Sequence, residues 1–439
     1  MKTSSCWSSK VKQNLEKFFD KVVINRIGRA SKFISRKGAA ISPFSFVVGL
    51  IQCCCSGYNS YSGWAAAIGT ITGKEVSKQA LFKRMNEHTV TFGCQLLERV
   101  LTLRLKQLKQ ARLFRLFNRV LLADSTTLSL PQSLAKEFPG NVSGGVQKAV
   151  ARLQCTLDLR AMQWLQLSLD AFTDNDQGAS GKVVPLLRKG DLLLRDLGYF
   201  VLKVLREIIG SKAFFISRLR YGLNWYDPKT GRLMNWKEVL PPKRRRVVDK
   251  TIVIGKKERL VVRVILIPLP QQQAEARIRK AKKDRDKRLN HGQDYYHWLS
   301  YNVFITNVDK DTLSAGEVAE VYGVRWLIEL LFKAWKSGGH LQTMLHRGCT
   351  NVYRVKTTIY LLLVFYCLII QHIYVRQLRS IEKSTAKLLS LIKLLAFVCN
   401  NLLKIISASP AKLKEILIRY CCYEQRHDRV NIIQFIYAL

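Results

Sequence analysis

Tyr322-Gly323-Val324-Arg325-Trp326-Leu327-Ile328-Glu329-Leu330-Leu331-Phe332-Lys333-Ala334-Trp335-Lys336 is the stretch whose reading decides what kind of chain this is. On a helical wheel of about 100° per residue with Tyr322 at zero, Arg325 lies at about 300°, Glu329 at about 340°, Lys336 at about 320° and Lys333 at about 20°. One face therefore carries a carboxylate among cations and a phenol. Leu327, Ile328, Leu330, Leu331, Phe332, Ala334 and Trp335 fill the opposite arc, so that side should pack on a core. A carboxylate held this way suits a divalent metal ion and the phosphates it acts upon. Arg325/Glu329 and Glu329/Lys333 are also i,i+4 pairs, the pattern of a solvated salt-bridge ladder. Ser314 with Glu317 forms a capping box that opens the segment, and Gly338 and Gly339 close it. Gly323 inside it costs about 1 kcal/mol relative to Ala, which leaves room for two shorter helices meeting there.

The spacing Tyr-x2-Arg-x3-Glu-x6-Lys, with Trp326 after the Arg, resembles the signature of the bacterial insertion-sequence-four family of DDE transposases. The resemblance implies a ribonuclease H-like core in which Glu329 is the third metal-binding carboxylate and Tyr322, Arg325, Lys333 and Lys336 hold phosphates at DNA ends. It also requires two aspartates at strand ends earlier in the chain. Val120-Leu121-Leu122-Ala123-Asp124 and Asp191-Leu192-Leu193-Leu194-Arg195-Asp196 have that form, an apolar run ending in an acid. Either acid alone reads equally as a cap or turn residue; in order with the signature they complete a set of three.

Composition sets the partner class. Lys and Arg number 72 against 31 Asp and Glu, a net charge of +41 spread along 439 residues, which points to a polyanion handled over a wide surface. A hydrophobic content of 48% argues for folded domains with sizeable cores. The 11 cysteines include the run Cys53-Cys54-Cys55 and no C-x-x-C, so a disulfide framework or zinc ribbon is not expected and a reducing, cytoplasmic setting is. Phe44 to Cys55 and Ile359 to Ile370 are each 12 residues long, short of the roughly 20 that cross a bilayer, and read as buried helices rather than membrane spans. Met1 to Asn14 is polar and lacks the apolar core of an export signal.

Along the chain, residues 1–118 read as a helical, DNA-binding region. Ser77 caps a short basic helix in which Lys78, Gln79, Lys83 and Arg84 would face a groove, or form an ordinary basic surface. Residues 119–218 alternate strands and helices as the first part of an α/β, ribonuclease H-like catalytic domain, with a hairpin near Arg160-Ala161-Met162 and a helix from Gly181 to Arg188. Residues 219–308 read as a mostly β insertion with the basic stretches Lys243 to Arg246 and Arg277 to Arg288. This accounts for the uneven spacing of the acids: 196 minus 124 is 72, whereas 329 minus 196 is 133. Residues 309–400 complete the catalytic domain and 401–439 form a helical C-terminal region.

The chemistry expected from the resemblance is metal-dependent cleavage at transposon ends and strand transfer into target DNA. Asp124, Asp196 and Glu329 would hold two Mg²⁺ ions, with Mn²⁺ able to substitute. The partner is double-stranded DNA, held by a homodimer that brings two ends together. Trp326 and Trp298 are candidates to stack on an unstacked base, although core filling suits either. Two rivals remain at this stage, a catalytically inactive DNA-binding descendant and a structure-specific nuclease.

Overall fold

Residues 9–35, 39–57, 59–103, 111–240, 246–284, 292–345, 349–424, 433 and 436 are described by the computed structural model. They fall into two compact units, one comprising Met1–Lys109, Ser125–Asp174 and Leu327–Leu439, the other Gln110–Asp124 and Asn175–Trp326. The chain passes between the units at four points, 109/110, 124/125, 174/175 and 326/327. Part of the N-terminal region (104–110), the basic residues 243–245 and 285–288, and most of the C-terminal segment beyond 424 lie outside the described residues.

Strands β1 (Val120–Ser129), β2 (Pro139–Ser143), β3 (Val146–Asp158) and β4 (Gln163–Ala171) come first in the chain. After them come β5 (Leu192–Arg195), β6 (Phe214–Arg218), β7 (Trp225–Tyr226), β8 (Leu233–Met234), β9 (Val248–Ile254), β10 (Leu260–Pro268) and β11 (Tyr301–Thr306). In the second unit β1, β5 and β6 lie side by side and parallel. Val120, Leu121, Leu122, Leu192 and Leu194 are wholly buried, as continuous apolar runs of a parallel sheet require. The chain passes from β5 to β6 through the helix Leu202–Gly210, the crossover that parallel neighbours need.

The expected β insertion does not stand apart from this sheet. β11 pairs antiparallel with β6, β10 with β11, β9 with β10, and β7 with β9 and β8, so residues 219–308 extend the same sheet. They also contribute the helices Gln271–Lys282 and Gln293–Trp298. Two local expectations are corrected. β1 runs five residues past Asp124, because Thr126 and Leu128 are buried and the β-branched threonines favour the extended chain, so the acid sits within the strand rather than at its end. The segment read as a helix from Gly181 is a tighter 3₁₀ turn, Gly178–Leu186, whose Pro185 has no N–H to continue an α-helix.

At the other edge of the β1–β5 pair, Arg119 and Asp191 form a buried clasp. Arg119 Nε donates to Asp191 Oδ1 and Oδ2 at 3.0 and 3.2 Å, and the Arg188 N–H reaches Asp191 Oδ2 at 2.7 Å. The Asp191 side chain has no exposed surface.

In the first unit, β3 and β4 form the hairpin read from the sequence, with Met162 in the left-handed turn conformation at φ 50°, and β2 pairs with β3. The helix Pro43–Cys55 is buried over almost its whole length. The other apolar run is longer than its 12 residues suggested. It lies within a helical stretch of 34 residues, Val352–Thr385, with mean hydropathy 2.0 in its most apolar window, long enough to cross a membrane by length alone. Of that window, 83% is buried within the protein, which is how a core helix behaves. The cysteines among the described residues are free, and all except Cys94 are buried.

The signature stretch is two helices and not one. Ala315–Gly323 opens with the expected capping box, in which the Glu317 N–H donates to Ser314 Oγ at 3.3 Å and the Ser314 N–H to Glu317 Oε2 at 2.8 Å. Val324 and Arg325 form a turn, and Trp326–Lys333 follows. Residues Ala334–Gly338 then widen into a π turn, a local form frequent at functional sites. Leu327, Ile328, Leu331, Phe332, Ala334 and Trp335 are buried as the apolar arc requires. Gly339 is demanded by close approach: a Cβ there would lie 2.8 Å from the Tyr366 ring, whose hydroxyl donates to the Gly339 carbonyl at 2.6 Å.

Candidate active site

Asp124 and Asp196 are placed by strand register. Val120 to Ala123 pair one for one with Leu192 to Arg195, and the next residues along the two chains are Asp124 and Asp196. The offset of 72 noted in the sequence is thus the register of two neighbouring parallel strands. The same offset puts Arg119 opposite Asp191, so the clasp lies at one end of this register and the acids at the other.

Arg325 joins them. Its Nη1 lies 3.0 Å from Asp124 Oδ2 and its Nη2 lies 3.8 Å from Asp196 Oδ1. The Arg325 and Asp124 side chains are each 15% exposed, that of Asp196 48%. An i,i+4 ladder is therefore not the whole account of Arg325: the guanidinium reaches one acid within β1 and one directly after β5, both remote in sequence. The geometry offers two hard carboxylate groups with a unit positive charge beside both, and a divalent cation suits oxygen donors of this kind. Among the described residues no group of three or more His, Cys, Asp or Glu is gathered to hold a metal. Glu329 lies in the first turn of the Trp326–Lys333 helix, four residues after Arg325.

Tyr322 has a different place from the one expected. It is 8% exposed, packs on Phe304 with ring centroids 5.2 Å apart, and donates its hydroxyl to the Arg195 carbonyl at 3.2 Å. Burial pushes its pKa up to about 12, against the lowering influence of Arg325. Its hydroxyl is thus engaged by the backbone next to Asp196 and not presented to a phosphate. The Tyr322 ring also lies 6.0 Å from the Arg325 guanidinium carbon.

The two tryptophans part company. Trp326 is 55% exposed directly after Arg325, whereas Trp298 is 7% exposed in a cluster with Tyr221, Trp225 and Trp236. Trp298 nevertheless borders a cavity of about 550 Å³ that Leu197, Arg218, Tyr221, Arg277 and Tyr295 also line. Arg218 and Arg277 both donate to Asn302 Oδ1 at 2.8 Å. Burial, and then the charge of Arg218, hold the Arg277 pKa below its ordinary value. Sequence reading placed Arg277 only at the start of a basic stretch and did not single out Arg218. A signal existed for Arg218, which ends an apolar strand run as Asp124 and Asp196 do.

On the signature helix Lys333 is exposed, while Lys336 is half-buried in the π turn and burial lowers its pKa. In the N-terminal region Lys78, Gln79 and Lys83 are exposed on the helix Lys78–Arg84, which Ser77 caps as read, its Oγ accepting from the Ala80 N–H at 3.2 Å. Lys78 and Lys83 line a groove of about 1250 Å³ together with Lys74, which the sequence reading did not single out. Arg84 is turned partly inward, donating to the Phe33 carbonyl at 3.0 Å and lying over the Phe33 ring, so it braces this region.

Asp124 and Asp196, each following a residue paired across β1 and β5, and the arginine beside both form a charged cluster at one end of this strand pair. The family described as transposase DDE domain matches residues 115–368, more than half of the chain, and the chain belongs to that family. It is an enzyme family of DNA transposases. Among curated relatives, the transposase for insertion sequence element IS1151 of Clostridium perfringens is 29% identical over 350 residues, covering 74% of this chain and 73% of the relative. The transposase for insertion sequence element IS231F of Bacillus thuringiensis subsp. israelensis is 27% identical over 360 residues, 74% of this chain and 72% of the relative.

Proposed function

We propose that this chain is an insertion-sequence-four-type transposase in which Asp124, Asp196 and Glu329 hold two divalent ions, Mg²⁺ with Mn²⁺ as a substitute, within a ribonuclease H-like core. The register of Asp124 with Asp196 and the span of Arg325 over both carry this reading; the signature spacing supplies Glu329. The relatives' names, transposases for insertion sequence elements, support ends of a mobile element as substrate.

When bound, the ions would act as Lewis acids on the attacking and leaving oxygens of a phosphodiester. The chain's own part is to position. Arg325, with Lys333 and Lys336, would hold phosphates, the planar fork of Arg325 taking two oxygens of one group. Tyr322 would position Arg325 from the backbone side. In the first step a water oxygen bonds to phosphorus and the element's 3′-oxygen leaves as a hydroxyl. In the second that 3′-hydroxyl attacks a target phosphodiester and displaces a target 3′-oxygen. A homodimer would hold two ends of double-stranded DNA, with the Lys78, Gln79 and Lys83 surface and the groove beside it reading the duplex.

The test is Mg²⁺-dependent cleavage of a labelled duplex bearing the element's own end, comparing the intact protein with Asp124→Asn and Glu329→Gln. Cutting at the end by the intact protein alone, with binding retained in both variants, is the expected outcome. Binding without cutting by all three, in Mn²⁺ as well, would replace it with a binding-only role, and cutting without end preference would make the chain a nuclease.

Trp326 is the better placed aromatic for an unstacked base. Base stacking contributes on the order of 1–3 kcal/mol per base, so Trp326→Ala should lower cleavage by about tenfold or more with an unchanged melting temperature. Trp298→Ala should lower the melting temperature, since it opens the core. A Trp326→Ala enzyme of full activity would remove the stacking role.

A further inference from the structure

Arg325 sits where a metal ion and a phosphate would compete for it. Its guanidinium is 3.0 Å from Asp124 and 3.8 Å from Asp196, and it belongs to the turn at Val324–Arg325 between two short helices rather than to either helix. Beside that turn Gly323 is exposed, and a Cβ there would meet no atom beyond its chain neighbours and its own helix backbone, so space is open next to the turn. Asp124, Asp196 and the proposed third ligand Glu329, set against one guanidinium, give the proposed site a formal charge of minus two, which repels a phosphate. The two divalent ions of that site would reverse the sign to plus two.

We propose that Arg325 is a resident counter-ion of the Asp124–Asp196 pair, exchanged for a divalent cation and thereby released to a DNA phosphate, so that metal and DNA bind with positive coupling. The inference rests on the reading of this pair as a metal site. Two carboxylates sharing one guanidinium repel each other, and a cation of the chain's own relieves that repulsion before any metal arrives. The price appears as competition: metal must displace the guanidinium, and a guanidinium facing two carboxylates cannot offer its fork to phosphate. Coupling between two ligands is reciprocal, so each should tighten the other by the same factor.

The full chain is used for the test. Mn²⁺ affinity without DNA is measured by calorimetry, and the affinity for a fluorescent end duplex is measured in EDTA and in Ca²⁺, with Asp124→Asn, Arg325→Gln and Arg325→Lys alongside. In the wild type Ca²⁺ should tighten DNA binding about 5-fold or more, within the usual range of such couplings. Arg325→Gln should bind Mn²⁺ about 5-fold or more tightly than wild type and lose most of the Ca²⁺ effect on DNA. Arg325→Lys, which keeps the charge, should bind Mn²⁺ nearly as wild type does. Loss of Mn²⁺ binding in Asp124→Asn, with Arg325→Gln no tighter than wild type, would overturn the counter-ion role and leave the metal site standing. Tightening by Arg325→Lys equal to that by Arg325→Gln would also overturn it, since charge would not be the cause. No Mn²⁺ bound by any form would overturn the metal-site reading and this inference with it.

Discussion

Asp124→Asn is expected to leave the protein folded and bound to DNA while lowering end cleavage by at least about 10³-fold, close to 4 kcal/mol at 1.36 kcal/mol per tenfold. The substitution keeps the shape of the side chain and removes one negative charge from the pair in register across β1 and β5. A neutral amide is a poor ligand for a hard cation, so the loss falls on the chemical step. Stability should change little, because the same substitution relieves repulsion from Asp196 and weakens the 3.0 Å contact with Arg325. Glu329→Gln should behave alike if Glu329 is the third ligand. Single-turnover cleavage beside a binding isotherm and a melting curve separates the terms. A variant that cuts within tenfold of wild type would remove Asp124 from the chemistry.

Asp191→Ala is the second large effect, and it falls on stability. The carboxylate is fully buried and takes hydrogen bonds from Arg119 and the Arg188 N–H. Its removal leaves the Arg119 guanidinium with its main counter-charge gone, and breaking a buried pair in this one-sided way costs about 3–5 kcal/mol. A fall in melting temperature on the order of 10 °C follows for a chain with domains of this size. The double variant Arg119→Met with Asp191→Leu should recover most of that loss, since neither charge then remains buried. If Asp191→Ala melted as wild type does, the clasp would contribute little to the stability of the strand pair.

Much of this was legible because it depends on near neighbours in the chain. Leu192 to Leu194 announce a buried parallel strand by being apolar without interruption, and the Ser314–Glu317 box needs only residues three apart. The hairpin at residues 159–162 follows from two alternating segments and a short turn. The extension of β1 past Asp124 was less legible, because an acid followed by Ser and Thr is as much a turn as a strand until Leu128 is seen to be buried. The break at Val324–Arg325 defeats a wheel drawn straight through the signature, since the phase is lost where one helix ends and another begins.

The order of the parts is thus readable from the residues alone: the basic charge, the apolar runs ending in Asp124 and Asp196, their 72-residue offset, and the signature with its cap. It took the folded chain to reveal that this offset is a strand register and that Arg325 spans both acids. The fold also decided that Tyr322 gives its hydroxyl to the Arg195 carbonyl, and that Trp326 is exposed while Trp298 is packed away. The physical reason is the same in each case. An ion pair, a hydrogen bond or a buried ring depends on a neighbour brought close by folding, and Asp124 and Arg325 stand 201 residues apart in the chain.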